Sequence, residues 1–433
     1  MKKVILCVAL VSSVFANETI TVEESYSKAL EYEAKVRSYG YQVQAKGEDV
    51  EQAKSKLYPK VDAQLQATSR NYILNGTDST IDENFYTVGI SANIPVYHPE
   101  YFNDIEQSKL KLRYSKVHLA QLKQELAFDV TDAYMLIVRA KNSLKVAEAY
   151  LKANRSIYSR IQKLYEKNLA NKIDLLSSKV TYEQSKIKVN TEKNMLRLAK
   201  NKFRNLTNIS DVKVPQVNLE NINSSDISKL SILYTKEDLL SSNLDIKKAN
   251  LGIYITEKQI ENSNYGHYPK IDLSATTSRY DAENRYTDYD QDTRVSLNIK
   301  IPLYQGGYIE SNKAKYRYLL SAANEDKKDT TRKILSDYEE IAIKLNTSKE
   351  NIALYIDSIK SSELYLHAVT KGYEKGLRKL IDIDDAKTKL YETKFKLIDS
   401  VYLYIKSYTS LLKTFGLLNR DKLKQLDSIV FSK

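Results

Sequence analysis

The chain has 433 residues, a formal net charge of +12, 34 Tyr, no Trp and one Cys. Its basic residues are spread along the chain and mixed with Asp and Glu, which is the pattern of charged helix faces and not of a nucleic-acid surface. One cysteine excludes a disulfide framework or a cysteine metal site, and beyond the first residues no uncharged apolar stretch is long enough for a membrane-spanning helix.

Lys2 and Lys3 open the chain, an apolar run fills residues 4–11, and Val14-Phe15-Ala16 places small residues where a signal peptidase cuts. These features predict an export signal over residues 1–16, with an apolar part too short to span a bilayer. Cys7 lies inside that run, so the exported chain would carry no thiol.

A first repeat is expected over 17–212. After an opening helix, Val61, Ala63, Leu65 and Ala67 alternate with Asp62, Gln64, Gln66 and Thr68. Tyr86, Val88, Ile90, Ala92, Ile94 and Val96 alternate in the same way with Thr87, Gly89, Ser91 and Asn93. Period two predicts strands at about 60–72 and 85–96, each near the length of a transmembrane strand, joined by a polar loop over 73–85. No Pro or Gly occurs from 100 to 214. There Leu122, Leu126, Val130, Ala133, Ile137, Ala140, Leu144, Ala147 and Leu151 step by fours and threes. This predicts a long helix at about 100–167, roughly 100 Å at the helical rise, then a helix at about 172–206, both packed along neighbours as coiled coils.

A second repeat is expected over 213–420. It has a helix, strands at about 270–281 and 290–303 with a polar loop over 282–289, a long helix at about 308–373 and a helix at about 380–415. Residues 421–433 read as a tail. Tyr58-Pro59-Lys60-Val61-Asp62 returns as Tyr268-Pro269-Lys270-Ile271-Asp272, and Ile94-Pro95-Val96-Tyr97 returns as Ile301-Pro302-Leu303-Tyr304. Tyr165-Glu166-Lys167-Asn168-Leu169 returns as Tyr373-Glu374-Lys375-Gly376-Leu377, so each half is a copy of one unit about 208 residues long. Four strands cannot close a barrel, and open edges cannot face lipid. Ordinary soluble hairpins are one reading of these strands; if instead they lie in a membrane, several chains must pool them, and the fold class expected is an α+β membrane protein: a trimer pooling its strands into a 12-stranded β-barrel, continued by an α-helical coiled-coil barrel. The many tyrosines suit an interfacial girdle.

The segment Leu297-Asn298-Ile299-Lys300-Ile301-Pro302-Leu303-Tyr304-Gln305-Gly306-Gly307 resembles the TolC-type outer-membrane channel family, in which a strand ends in Pro-apolar-aromatic-x-Gly-Gly at the turn from barrel to helix. The first repeat departs from it. There Tyr97-His98-Pro99-Glu100 stands in place of the glycine pair, so the bend falls to Pro95 and Pro99. Gly372-Tyr373-Glu374-Lys375-Gly376-Leu377-Arg378 with Ile381-Asp382-Ile383-Asp384-Asp385-Ala386 is similar to the family's periplasmic tip. The resemblance implies that Asp382 and Asp385 ring the narrowest point, and that Tyr373 and Arg378 tie the tip shut against Asp174. Asp382 and Asp385 also share one helix face by spacing alone, and a threefold ring of them would favour cations. The plain alternative makes Asp382 a helix N-cap and Asp385 a first-turn acid.

No enzyme chemistry is apparent. There is no phosphate loop or nucleophile motif, and no cofactor or metal site is expected. His98, His118, His267 and His367 read as isolated surface or interface residues. The resemblance implies an outer-membrane homotrimer with a periplasmic extension, working as the passive exit duct of a tripartite efflux or type I secretion system. It would meet a periplasmic adaptor, an inner-membrane pump of the RND or ABC type, and outer-membrane lipid. A non-pore-forming periplasmic scaffold is the alternative, and it leaves the two-faced strands unexplained.

Overall fold

The computed structural model describes residues 19–73, 80–214, 235–282 and 291–430. The expected export signal, Cys7, residues 74–79 of the first strand-joining loop and residues 283–289 of the second lie outside them. In chain order the helices and strands are α1 (Val22–Tyr32), α2 (Ala34–Ser55), β1 (Lys60–Ile73), β2 (Thr80–Tyr97), α3 (Pro99–Glu166) and α4 (Lys172–Thr207). Then come α5 (Lys236–Ser242), α6 (Leu244–Asn264), β3 (Lys270–Ala282), β4 (Gln291–Lys300), α7 (Tyr308–Glu374), α8 (Leu380–Thr414) and α9 (Arg420–Val430). The duplication extends to capping. Thr21 and Glu24 form a capping box opening α1, and Thr235 and Asp238 form one opening α5. Glu33 and Asn243 then each break the helix before a longer one follows.

The chain divides into two units. One comprises residues 38–119 and 244–332 and contains an antiparallel sheet in the order β1-β2-β3-β4. Its central pairing, β2 with β3, joins the two repeats. β2 begins at Thr80, earlier than the alternation suggests, because Asp82 and Asn84 continue the ladder opposite Asn71 and Ser69. Backbone hydrogen bonds do not require apolar side chains, whereas the periodic signal sees only those. β4 stops at Lys300, short of 303: Pro302 has no N–H to give to the ladder.

The other unit comprises residues up to 37 together with 120–243 and 333–433. Here the heptad-like seams are buried: Leu122, Leu126, Val130, Ala133 and Ile137 on α3, Ile334, Ile352 and Ile359 on α7, and Leu397, Val401, Tyr404 and Leu411 on α8. Each such side chain, fully buried, contributes about 1.5–3 kcal/mol. Tyr134 packs edge-on against Phe203 and donates to the Ile20 carbonyl at 2.7 Å. The expected tail is in fact α9. Leu423 and Leu426 are buried, and Asp427 accepts the Val22 and Glu23 amides at 2.9 and 3.0 Å, capping α1 from outside.

Candidate functional site

Register carries the two-faced pattern across all four strands near the ends that meet the helices. Val61, Ala92, Ala275 and Val295 stand opposite one another on successive strands, as do Ile94, Leu273 and Leu297. One residue along, Asp62, Ser91, Thr276 and Arg294 align, followed by Gln64, Gly89, Ser278 and Asp292. Side chains alternate between faces along a strand, so these positions make one face apolar and the other polar, and further along the apolar face β3 and β4 turn polar at Thr277, Arg279, Asp281, Thr293 and Gln291. Much of the apolar face is uncovered in the single chain: Val61, Leu65, Val88, Ile90, Val295, Leu297 and Ile299 run from 53% exposed at Val88 to 81% at Leu65, while Ile94, Ile271 and Leu273 are half-buried. The sheet is open at β1 and at β4.

The strand-to-helix bends are built differently in the two repeats. In the second, Gly306 and Gly307 have φ +59 and +78. An added Cβ would meet nothing within 4 Å at either, so backbone conformation and not space calls for glycine. In the first, Pro95 sits at an irregularity in the β2–β3 register, and Pro99 opens α3 where its missing N–H costs nothing. His98 is the part not expected. It is buried, stacked on Tyr101 at 4.6 Å, with Nε2 3.0 Å from Asp272 Oδ1 and Nδ1 3.3 Å from Glu100 Oε1. Lys270 closes the group through an ion pair to Glu100. His98 is therefore an internal tie between β3 and α3, not an isolated surface residue. Its partner Asp272 lies 174 positions away, and local spacing cannot show it. His118 lies edge-on to Tyr39 and His267 pairs with Glu310, while His367 is exposed. Among the described residues no group of three or more His, Cys, Asp or Glu could hold a metal ion.

Both long helices end in the same cap. Asn168 and Gly376 take left-handed φ of 59 and 73. Asn168 N donates to the Tyr165 carbonyl and Leu169 N to that of Leu164, while Gly376 N donates to Tyr373 and Leu377 N to Gly372. This paired-bond cap turns the chain sharply into α4 and α8. Asn171 opens α4 by accepting the Asp174 amide at 2.7 Å. At α8 the N-cap is Lys379, and Asp382, one turn in, reaches back to accept the Lys379 amide at 3.0 Å. Asp382 is thus a reach-back acid and not the cap itself, and Asp385, exposed, lies beyond the first turn. Tyr373 packs beside Val369, Ile383 and Ala386 together with Ile157 and Leu366. No hydrogen bond or ion pair joins Asp174, Tyr373 and Arg378 within one chain among the described residues. Asp384, between the two expected gate acids, is 6% exposed, and its Oδ2 has no hydrogen-bond partner. Burial pushes its carboxyl above the usual range, partly offset by Lys387. Its spacing of four from Leu380 on the buried α8 seam is the sequence signal that could have found it.

The outer membrane efflux protein family matches residues 25–208 and 236–417, one copy in each repeat. The chain belongs to that family. Outer membrane protein TolC of Vibrio cholerae is 22% identical over 411 residues, 94% of this chain and 92% of that one. TolC of Escherichia coli is 24% identical over 317 residues, 70% of this chain, and the chain spans 64% of that relative's length. Among solved structures, CusC superposes with a TM-score of 0.81 at 17% identity, over 93% of this chain and 95% of that one, which shows a shared fold. As a member of the outer membrane efflux family the protein is a TolC-type outer-membrane protein and not an enzyme. His98 and Pro99 then mark where it departs from the glycine-turn pattern of its second repeat.

Proposed function

We propose that three copies of this chain pool their sheets into one barrel and form a passive duct through the outer membrane. The observation that supports this best is the sheet itself. One face carries apolar residues on all four strands, most of them exposed on β1, β2 and β4, and the sheet's two edges are open. A face of that kind matches the lipid side of a membrane barrel, and the polar face matches a water-filled interior. Unpaired edges are untenable in lipid, so closure needs other copies, and three copies supply twelve strands. A soluble scaffold would leave this face in water, where patches of that extent are rare.

At the helical end, Asp382 and Asp385 from three copies would form a ring of carboxylates that favours cations, and Tyr373 and Arg378 would hold the tip closed against Asp174 of a neighbouring copy. The sequence carries no glycine-rich phosphate loop, and the driving force would come from an inner-membrane pump of the RND or ABC type reached through a periplasmic adaptor. Residues 1–16 would be the export signal, removed before assembly. The test is to purify the protein in detergent, measure its assembly state by light scattering, and record from planar bilayers. A trimer with cation-selective conductance is expected, rising when Asp174, Tyr373 or Arg378 is replaced. A detergent-free soluble monomer without conductance would overturn the reading.

A further inference from the structure

We infer that Gly372 is a positioning residue for the closed tip: it is the seat against which the Arg378 side chain is held. The inference rests on the gate reading for Arg378 and names what fixes that side chain. A Cβ at Gly372 would stand 2.8 Å from Arg378 Cγ and 3.6 Å from Arg378 Cβ. Carbon atoms in contact lie about 3.5–4.0 Å apart, so any side chain at 372 displaces the arginine. Cγ is placed by the first torsion of the side chain alone, and only a jump to another rotamer would clear it.

The other repeat supplies an internal control. Leu164 holds the place of Gly372 in the identical cap, each giving its carbonyl to a leucine amide at 2.8 Å. Ala170 holds the place of Arg378. One copy has a large residue paired with a small one, and the other has the smallest residue paired with a large one, in caps closed by the same hydrogen bonds. Glycine in the last turns of a helix is otherwise a poor choice, since alanine there holds helix better. Gly372 has an ordinary helical φ, so left-handed conformation does not explain it, as it does at Gly376. What explains it is the room Arg378 occupies.

The experiment compares Gly372→Ala, Arg378→Ala, both together, and Gly372→Leu with Arg378→Ala, which rebuilds the first repeat's pairing. Conductance is recorded in planar bilayers, and assembly is followed by light scattering in detergent. Gly372→Ala should raise conductance several-fold, to the level of Arg378→Ala. The double variant should rise no further, and the rebuilt pair should assemble like the natural chain. If Gly372→Ala conducts like the natural protein while Arg378→Ala opens, the seat is refuted and the gate reading stands. If Arg378→Ala itself changes nothing, the gate reading falls and the seat with it. Should Gly372→Ala fail to assemble, recovery of assembly in the Arg378→Ala background supports the seat, and failure to recover overturns it.

Discussion

Lys202 on α4 and Asp132 on α3 are joined at 2.7 Å, and that single carboxylate also receives Tyr402 at 2.7 Å and Lys406 at 3.1 Å from α8. One buried acid thus gathers three helices drawn from both repeats. Burial pushes its carboxyl up, but hydrogen bonds from Lys202, Tyr402 and Lys406 together outweigh this and hold it below the usual range. Because the folded value is depressed, the contribution is present above the unfolded value near pH ~4 and fades as pH falls through the folded one. Asp132→Asn should cost on the order of 1–3 kcal/mol at neutral pH, discounted for the half-exposed lysines. Urea midpoints measured from pH 7 down to acid should converge for the two proteins, and a gap that widened in acid would refute the assignment.

Each bend should be weakened by its own substitution. Gly306→Ala or Gly307→Ala forces a side chain into the left-handed region and should cost about 1–2 kcal/mol each. Gly40→Ala on α2, where an added Cβ meets nothing within 4 Å, should instead stabilise by about 0.5–1 kcal/mol. In the first repeat His98→Ala should cost about 1–3 kcal/mol by leaving Asp272 and Glu100 without their shared partner. Thermal melts of the detergent-solubilised protein would separate the two signs.

Asp382 and Asp385 are predicted to part company. Asp382→Asn weakens the reach-back to Lys379 and should lower stability by about 0.5–1 kcal/mol as well as reduce cation preference. Asp385→Asn, with no such bond, should reduce cation preference and leave the melt unchanged. Reversal potentials across a salt gradient, read beside the melts, check both halves of the statement.

Burial disfavours the charged form of the Asp384 carboxyl. A carboxyl whose folded value is raised penalises folding above the unfolded value and stops doing so once protonated. Asp384→Asn should therefore stabilise the protein on the order of 1 kcal/mol at neutral pH, with the benefit vanishing in acid. Equal urea midpoints at pH 7 would count against the burial argument.

The sequence disclosed what is periodic or repeated. Alternation along Val61 to Ala67 and Val295 to Leu303 revealed strands because a two-faced sheet imposes period two, and the glycine pair revealed a bend because few residues accept positive φ. It concealed what depends on remote partners. His98 needs Asp272, and α9 needs α1, whose amides Asp427 caps from the far end of the chain. The seam of α9 is only two leucines long, too brief to stand out by spacing. The roles of Asp382 and Asp385 stayed open because capping and ion selection favour the same residue type at the same helix start.

The seam between β2 and β3 lies where one half of the duplicated chain meets the other. A half-length ancestor with a single hairpin would have needed six copies to complete the same ring. On the proposed assembly, fusing two halves makes every second junction covalent and permanent. Each copy can then drift independently, and one carries Gly306 and Gly307 at its hinge where the other carries Pro99 and Glu100.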